Sequence, residues 1–209
     1  PTFDPIIVPG CTDPMFRGQV REGVDPASLI QVEPLRPEYQ NRDNRVEVID
    51  SQNVESILMF PTMGCGVEQA LRHDVPATMA TLHAFNRWLD EDWGFDRPDH
   101  KIYAAPMISL ADPDAAASEV DEVLRRGARV VHIRPAPVPG TVEPRPIGHP
   151  AHDPVWARLC EANVAVAFHL GDSGYLQVAA MWGGKDTFEP FAGVDPFDSL
   201  VVSDRAIHD

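Results

Sequence analysis

A pattern that recurs three times constrains the fold of this chain more than any other feature of the sequence. Each copy is a helix opened by Asp, then a Gly or Asn, then a short apolar strand, and the copies span residues 43–60, 112–134 and 153–169. Strands that are apolar on both faces and alternate with helices are typical of a parallel sheet that is covered by helices. The pattern therefore predicts an α/β fold.

The clearest copy begins at Asp112, which we expect to cap a helix that has Pro113 in its first turn. Gly127 can adopt the left-handed conformation that ends a helix. A further helix is predicted at residues 76–92, where apolar side chains recur every three or four residues after Asp74. Together these signals predict four neighbouring parallel strands, at residues 56–60, 102–108, 129–133 and 164–168.

A (β/α)8 TIM barrel fits this pattern better than a doubly wound sheet, because the sequence has no glycine-rich nucleotide-binding motif. Four strands in 209 residues are fewer than the eight strands and about 250 residues of a closed barrel. We therefore expect a partial barrel, and a chain that starts without Met is what a fragment would show. The predicted organisation is one domain over residues 1–209, with a Pro-rich loop segment at 1–40 and a lid or subunit-contact insertion at 171–198.

The formal net charge of -15 disfavours nucleic acid and anionic membrane surfaces as partners, since both repel an acidic protein. The sequence shows neither an apolar run long enough to cross a membrane nor a signal peptide, which favours a cytoplasmic protein. Its three cysteines are far apart and form no CxxC motif, so we expect reduced thiols. Cys65 lies between glycines and could be a nucleophile, although a small buried residue is the commoner fate of a free cysteine.

Catalytic groups in parallel barrels lie at the carboxyl ends of the strands, at the open end of the barrel that we call the mouth. His169 directly follows the strand at 164–168, and a neutral imidazole in that position suits zinc or a similar divalent metal ion. A structural histidine that is hydrogen-bonded at the strand end is the alternative. Asp172 lies in the glycine-containing loop that follows, where it could contact a substrate.

Arg134 ends the strand at 129–133 and could grip an anionic substrate in a bidentate manner, or instead pair with one of the many acidic side chains. Asn86 is another candidate contact near the mouth, although its place on an apolar helix stripe favours structural hydrogen bonding. We expect His132 to point to the opposite side of the strand from Arg134. His149 and His152 are expected on the surface, because their HxxH spacing falls in a proline-rich loop.

Several segments resemble the amidohydrolase 2 family of TIM-barrel metal-dependent hydrolases, which is related to aminocarboxymuconate semialdehyde decarboxylase. The resemblance extends along the whole chain and rests above all on the segment from Phe168 to Asp172. Supporting segments are Phe85-Asn86-Arg87-Trp88-Leu89, Ala105-Pro106-Met107 before Asp112-Pro113, and Gly127-Ala128-Arg129-Val130-Val131 leading to Arg134-Pro135.

The resemblance implies a divalent metal ion, commonly zinc, held by ligands on the first strand, a mid-barrel histidine and a late acid. Only the mid-barrel histidine maps onto this sequence, as His169, and no HxH motif is present. The implied activity is hydrolysis of a small, carboxylate-bearing substrate by a metal-activated water, with non-oxidative decarboxylation left open as an alternative. A barrel without metal that acts as a binding or assembly subunit is a hypothesis of another class. A homo-oligomer is compatible with each of these functions.

Overall fold

The computed structural model describes residues 5–7, 23, 28, 32–61, 66–139, 144–169 and 181. The helices within these residues are α1 Arg42–Ser51, α2 Val67–Ala70, α3 Val75–Asp92, α4 Pro113–Arg125 and α5 Asp153–Glu161. The strands are β1 Pro5–Ile7, β2 Val32–Pro34, β3 Ile57–Met59, β4 Ile102–Ala104, β5 Met107–Ile108, β6 Val130–Ile133 and β7 Ala165–Phe168. Short 3-10 helices lie at Pro37–Tyr39 and Pro150–His152.

The strands β3 to β7 form the parallel array that the sequence predicts. β3 pairs with β4 in parallel, and β6 pairs in parallel with β5 on one side and with β7 on the other. Each of these strands lies within or beside a predicted segment, and each pairing has the predicted direction. Strand and helix alternate as in a (β/α)8 barrel of which the chain forms a part, so the predicted fold class is confirmed.

The predicted strand at residues 102–109 is interrupted at Ala105 and Pro106, which separate β4 from β5. The cause is chemical, because Pro106 has no N–H to donate to a neighbouring strand. Its carbonyl still accepts a hydrogen bond from the His132 N–H at 2.8 Å, and the Ala105 N–H still donates to the Met59 carbonyl at 2.9 Å. The segment therefore stays extended while its pairing passes from β3 to β6.

Two predicted helix caps are confirmed. The Asp74 carboxylate accepts from the Ala77 N–H at 3.0 Å, and the Asp112 carboxylate accepts from the N–H groups of Asp114 and Ala115 at 3.1 Å each. These bonds satisfy amide groups that have no partner within the first helical turn. Helices α3 and α4 therefore begin where the sequence predicts.

The starts of α1 and α5 differ from the prediction. Asn41, rather than Asp43, caps α1, because the Asn41 amide oxygen accepts from the Asn44 N–H at 3.1 Å. Helix α5 starts at Asp153 itself, directly after the 3-10 helix Pro150–His152, and has no side-chain cap. The preceding turn already orients the chain at α5, so Asp153 lies inside the first turn and does not cap it.

The turn between helix and strand has the same backbone geometry in all three copies of the pattern. Asn53, Gly127 and Asn163 have φ values of 54°, 96° and 51°, in the left-handed region. Glycine and asparagine tolerate this conformation better than other residues. The Gly or Asn in each copy therefore has the predicted role of ending the helix and redirecting the chain into the next strand.

The hydrophobic core lies between the strands and the helices that cover them. Ile108, Val131 and Ile133 belong to a cluster of buried side chains that also includes Val120 of α4 and Leu159 of α5. Side chains alternate along a strand, so the intervening residues point to the opposite face of the sheet. That face carries the polar residues of the strands.

The predicted Pro-rich loop segment at residues 1–40 contains β1 and β2, which pair in an antiparallel manner, and is therefore not wholly loop. The predicted insertion at 171–198 lies outside the described residues except for Met181, which is exposed. Among the described residues, no helix is both long and apolar enough to cross a membrane.

Candidate functional site

His169 directly follows β7 and lies where the ends of several strands come together. Its ring centroid is 5.8 Å from that of His132 on β6 and 5.8 Å from that of Phe60, which follows β3. The imidazole is only partly buried. The strand-end position predicted for His169 is therefore what the structure shows, and its ring shares this place with a second histidine.

His132 is the site residue whose orientation the sequence interpretation got wrong. We expected it to point away from Arg134, but residues two apart on a strand share a face, and the His132 ring lies against His169. It is only 3% exposed. Burial lowers the pKa of His132 to about 4, although a hydrogen bond to the His169 backbone offsets part of that effect. His132 is therefore a neutral imidazole near pH 7.

Arg134 is the first residue after β6, and its guanidinium is buried at the ends of the strands. Its Nη2 donates a hydrogen bond to the side-chain oxygen of Gln69 in α2. Glu68, the preceding residue of α2, is also buried, and its carboxylate oxygen accepts from the Ser109 hydroxyl at 2.8 Å. The structure thus places Arg134 in a buried polar cluster with Glu68, Gln69 and Ser109.

The charges in this polar cluster act on one another. Burial raises the pKa of the Glu68 carboxyl, and the positive charge of Arg134 and the Ser109 hydrogen bond offset only part of that rise. The sequence interpretation did not single out α2, Glu68 or Gln69. The available signal was weak, since a four-residue helix has no periodicity to detect.

Asn86, the third candidate contact, is buried between α3 and β5. Its amide oxygen accepts from the Met107 N–H at 2.8 Å, and its nitrogen donates to the Met107 carbonyl at 2.9 Å and to Glu119 at 2.8 Å. β3 has ended before it reaches Met107, so no described strand on that side can bond the Met107 N–H and carbonyl. The Asn86 side chain takes the place of that strand. Its contact with a substrate stays a prediction.

The remaining candidate residues divide between described and undescribed parts of the chain. Asp172 and Cys65 lie outside the described residues. The expectation of two surface histidines was wrong for His152, which is fully buried and whose Nδ1 lies 2.9 Å from the Ile147 carbonyl oxygen. The 3-10 helix Pro150–His152 turns this side chain inward, whereas His149 is only partly buried.

The donor atoms at His169 suit a divalent metal ion in kind, because imidazole nitrogen binds zinc and related ions. The described donor atoms are, however, too few to form a complete metal site. Across the ranges that the structure describes, no group of three or more His, Cys, Asp or Glu side chains is arranged to hold a metal ion. His169 could thus supply one ligand of a metal site whose other ligands are not among the described residues.

Comparison with solved structures finds an amidohydrolase from Mycobacterium avium subsp. paratuberculosis K-10 that is 63% identical and superposes with a TM-score of 0.85. The match covers 98% of this chain and 51% of that protein, so the chain spans about half the length of this relative. Neither a protein-family model nor a curated protein matches the chain.

Two further structures share the fold at low sequence identity. A 2,6-dihydroxybenzoate decarboxylase complexed with 2,6-dihydroxybenzoate is 17% identical, with a TM-score of 0.52, and the match covers 79% of this chain and 50% of that one. A dihydroxybenzoic acid decarboxylase from Polaromonas sp. JS666, with bound manganese and the inhibitor 2-nitroresorcinol, is 13% identical, with a TM-score of 0.50. That match covers 94% of this chain and 55% of the decarboxylase.

Proposed function

Because this chain belongs to the amidohydrolase 2 family of TIM-barrel proteins, we propose that the complete protein is a metal-dependent hydrolase of a small, carboxylate-bearing substrate. The observation that carries the proposal is the position of His169, whose imidazole lies at the end of β7 beside His132. Arg134, at the end of the adjacent strand β6, supplies the positive charge that a carboxylate would need.

His169 would be one ligand of the metal ion, and the remaining ligands would come from residues that the structure does not describe. When bound, such an ion supplies Lewis acidity and lowers the pKa of a coordinated water. Zinc is the first candidate, because imidazole is among its usual ligands. The manganese in one structure of the same fold supports a divalent ion without identifying it.

The residues of this chain would prepare the site in distinct ways. His132 is neutral and hydrogen-bonded to the His169 backbone, so it holds the strand end in place without adding a charge next to the metal ligand. Arg134 would orient the substrate carboxylate with its planar guanidinium. Asp172 is a proposed substrate contact in the loop after His169, and Asn86 would keep β5 in place beneath the mouth.

Non-oxidative decarboxylation is the second candidate function. It needs a carboxylate held in a fixed orientation and a proton to replace the CO2 that leaves, and a buried Arg134 suits the first requirement. The two low-identity structures of this fold are dihydroxybenzoate decarboxylases, which makes 2,6-dihydroxybenzoate a reasonable test compound. A barrel without metal that serves as a binding or assembly subunit, including a homo-oligomer, is distinguished from both candidates by its metal content.

The deciding experiment is metal analysis of the full-length protein and of its His169→Ala variant. We expect about one divalent ion per wild-type chain and a large loss of metal and turnover in His169→Ala, with the circular dichroism spectrum unchanged. His100→Asn is the matched control, because His100 is 62% exposed and precedes β4, at the opposite end of the parallel strands from His169. Equal metal content in wild type and His169→Ala would exclude the proposed role.

The two reactions are separated by their products. The metal-loaded protein is incubated with 2,6-dihydroxybenzoate, and separately with small carboxylate-bearing amides, esters and lactones. Release of CO2 would identify a decarboxylase, whereas acid release without CO2 would identify a hydrolase. A protein that retains no metal and acts on none of these compounds would be the binding or assembly subunit.

A further inference from the structure

The polar cluster at the mouth contains a buried carboxylate in addition to the arginine that would bind an anionic substrate. Glu68, Gln69, Ser109 and Arg134 are 8%, 9%, 2% and 7% exposed. Three elements supply them, namely α2 and the ends of β5 and β6. An arginine that only bound a substrate carboxylate would not need a second carboxylate buried in the same cluster.

A count of charges shows the consequence of that second carboxylate. Arg134 carries one positive charge, and Glu68, when ionised, carries one negative charge that acts on it. A substrate carboxylate beside Arg134 would place two negative charges against the one positive charge of the described cluster. Carboxylates that share a poorly solvated site do not both stay ionised, because their repulsion is weakly screened there. Protonation of one of the two carboxylates would relieve this repulsion.

Glu68 is the carboxylate better placed to bind that proton. Its burial already raises its pKa. The Ser109 hydroxyl, which donates to the Glu68 oxygen at 2.8 Å, can rotate and accept a hydrogen bond from the protonated acid. Both protonation states of Glu68 therefore keep a hydrogen-bond partner within the cluster.

We propose that Glu68 takes up one proton from solvent when a substrate carboxylate binds beside Arg134. Among the described residues of the cluster, the substrate carboxylate then replaces the negative charge of Glu68 and does not add to it. This inference rests on the proposed function, in which Arg134 anchors the substrate. The other described ionisable groups around the cluster include Arg72, which donates to the Gln69 carbonyl, and His132 and His169 at the mouth. His83, Glu119 and Glu122 line a pocket together with Ser109.

The test uses benzoate as the anionic probe and calorimetry of the full-length protein in two buffers that differ in ionisation enthalpy. We expect proton uptake to rise with pH toward about one proton per benzoate, and affinity to fall over the same range by up to about tenfold per pH unit. Uncharged benzamide should bind without proton uptake. The comparison in two buffers tests wild type directly, so it does not depend on any variant folding.

Glu68→Gln is the decisive variant, since its side chain has the shape of the protonated acid and keeps an oxygen for Ser109. We expect it to bind benzoate without proton uptake, with an affinity that stays constant over the same pH range and exceeds that of wild type at high pH. Glu91→Gln, at a residue that is 60% exposed, is the matched control and should behave as wild type.

Three outcomes would overturn the inference. The first is no benzoate binding by wild type at about 10 mM, which is tenfold above a Kd of about 1 mM. The others are binding without proton uptake and uptake that persists in Glu68→Gln. The last outcome would assign the proton to another group, such as a mouth histidine. Metal content is measured on the same samples. Loss of the metal assignment would refute the proposed function, whereas normal metal content without proton uptake would refute only the role of Glu68.

Discussion

The imidazole of His132 meets that of His169 edge to face, with ring centroids 5.8 Å apart and ring planes inclined at 64°. His132 lies on β6, His169 directly follows the adjacent parallel strand β7, and the His132 side chain is hydrogen-bonded to the His169 backbone. One histidine is thus almost fully buried and neutral, while its neighbour is partly exposed. This difference suits a pair in which the His169 ring binds a metal ion and the His132 ring holds it in position.

Replacement of His132 should therefore weaken metal binding without removing a ligand. We expect His132→Ala to lower metal affinity by about 10- to 100-fold, as is usual when a group that supports a metal ligand is lost. His132→Gln keeps a donor of similar reach and should retain more of the affinity. The measurement is competition with a chelator, with His100→Asn as the control. Equal affinities in wild type and His132→Ala would contradict the supporting role.

Asn86 should contribute strongly to stability. Asn86→Ala leaves the buried N–H and carbonyl of Met107 and the Glu119 carboxylate without this partner, so we expect a loss of about 2–4 kcal/mol in the free energy of unfolding. Chemical denaturation measures the loss, and Thr81→Ala, at an exposed position of the same helix, should change stability by less than about 0.5 kcal/mol. A similar small change in Asn86→Ala would show that its hydrogen bonds are not needed.

Loss of the Asp112 helix cap should lower the stability less than loss of Asn86. Asp112→Ala removes the acceptor for two N–H groups at the start of α4 and should cost about 1 kcal/mol. Asp114→Ala is the control, because its side chain makes no cap bond and only its favourable charge near the helix start is lost. Thermal unfolding of both variants would show whether the cap itself, rather than the acidic charge, stabilises α4.

The ion pair between Arg42 and Asp99 should make part of the free energy of unfolding depend on pH. The Asp99 carboxylate accepts two hydrogen bonds from Arg42, at 2.8 and 2.6 Å, and these bonds lower its pKa. The folded pKa lies below the unfolded value of about 3.9, so the stabilisation is complete above that pH and is lost as pH falls through the folded pKa. Asp99 is 39% exposed, and solvent screening limits the effect to about 1 kcal/mol.

Asp99→Asn tests this interaction by urea unfolding at two pH values. The variant should be less stable than wild type at pH 7, and the difference should shrink at about pH 3, where part of the Asp99 population is protonated in both states. Added salt should also reduce the difference. A constant difference at both pH values would mean that the carboxylate charge does not contribute.

The alternation of helices and strands was predictable because it depends on local chemistry. Asp74 and Asp112 cap their helices through nearby N–H groups, and Asn53, Gly127 and Asn163 turn the chain through their own backbone freedom. The interruption at Pro106 also has a local cause, although it was not anticipated. The position of His169 followed from the fold, since the residue after a parallel strand lies at the mouth.

The partners of the site residues were harder to predict, because they come from distant parts of the chain. Gln69 and Arg134 are 65 positions apart, and Ser109 and Glu68 are 41 apart. Sequence periodicity carries no information about such contacts. The orientation of His132 could have been obtained from strand alternation applied correctly, whereas the burial of His152 depends on how a proline-rich loop folds back.

The bond between Asn86 and Met107 also determines when the backbone of β5 becomes accessible to water. The Met107 amide hydrogen is held by a side chain of α3 rather than by a neighbouring strand. It should therefore exchange with deuterium each time α3 lifts away, even while the parallel strands stay paired. The Val131 amide, inside β6, should exchange only when the sheet itself opens. The ratio of these two exchange rates would thus report how often the helical layer separates from an intact sheet.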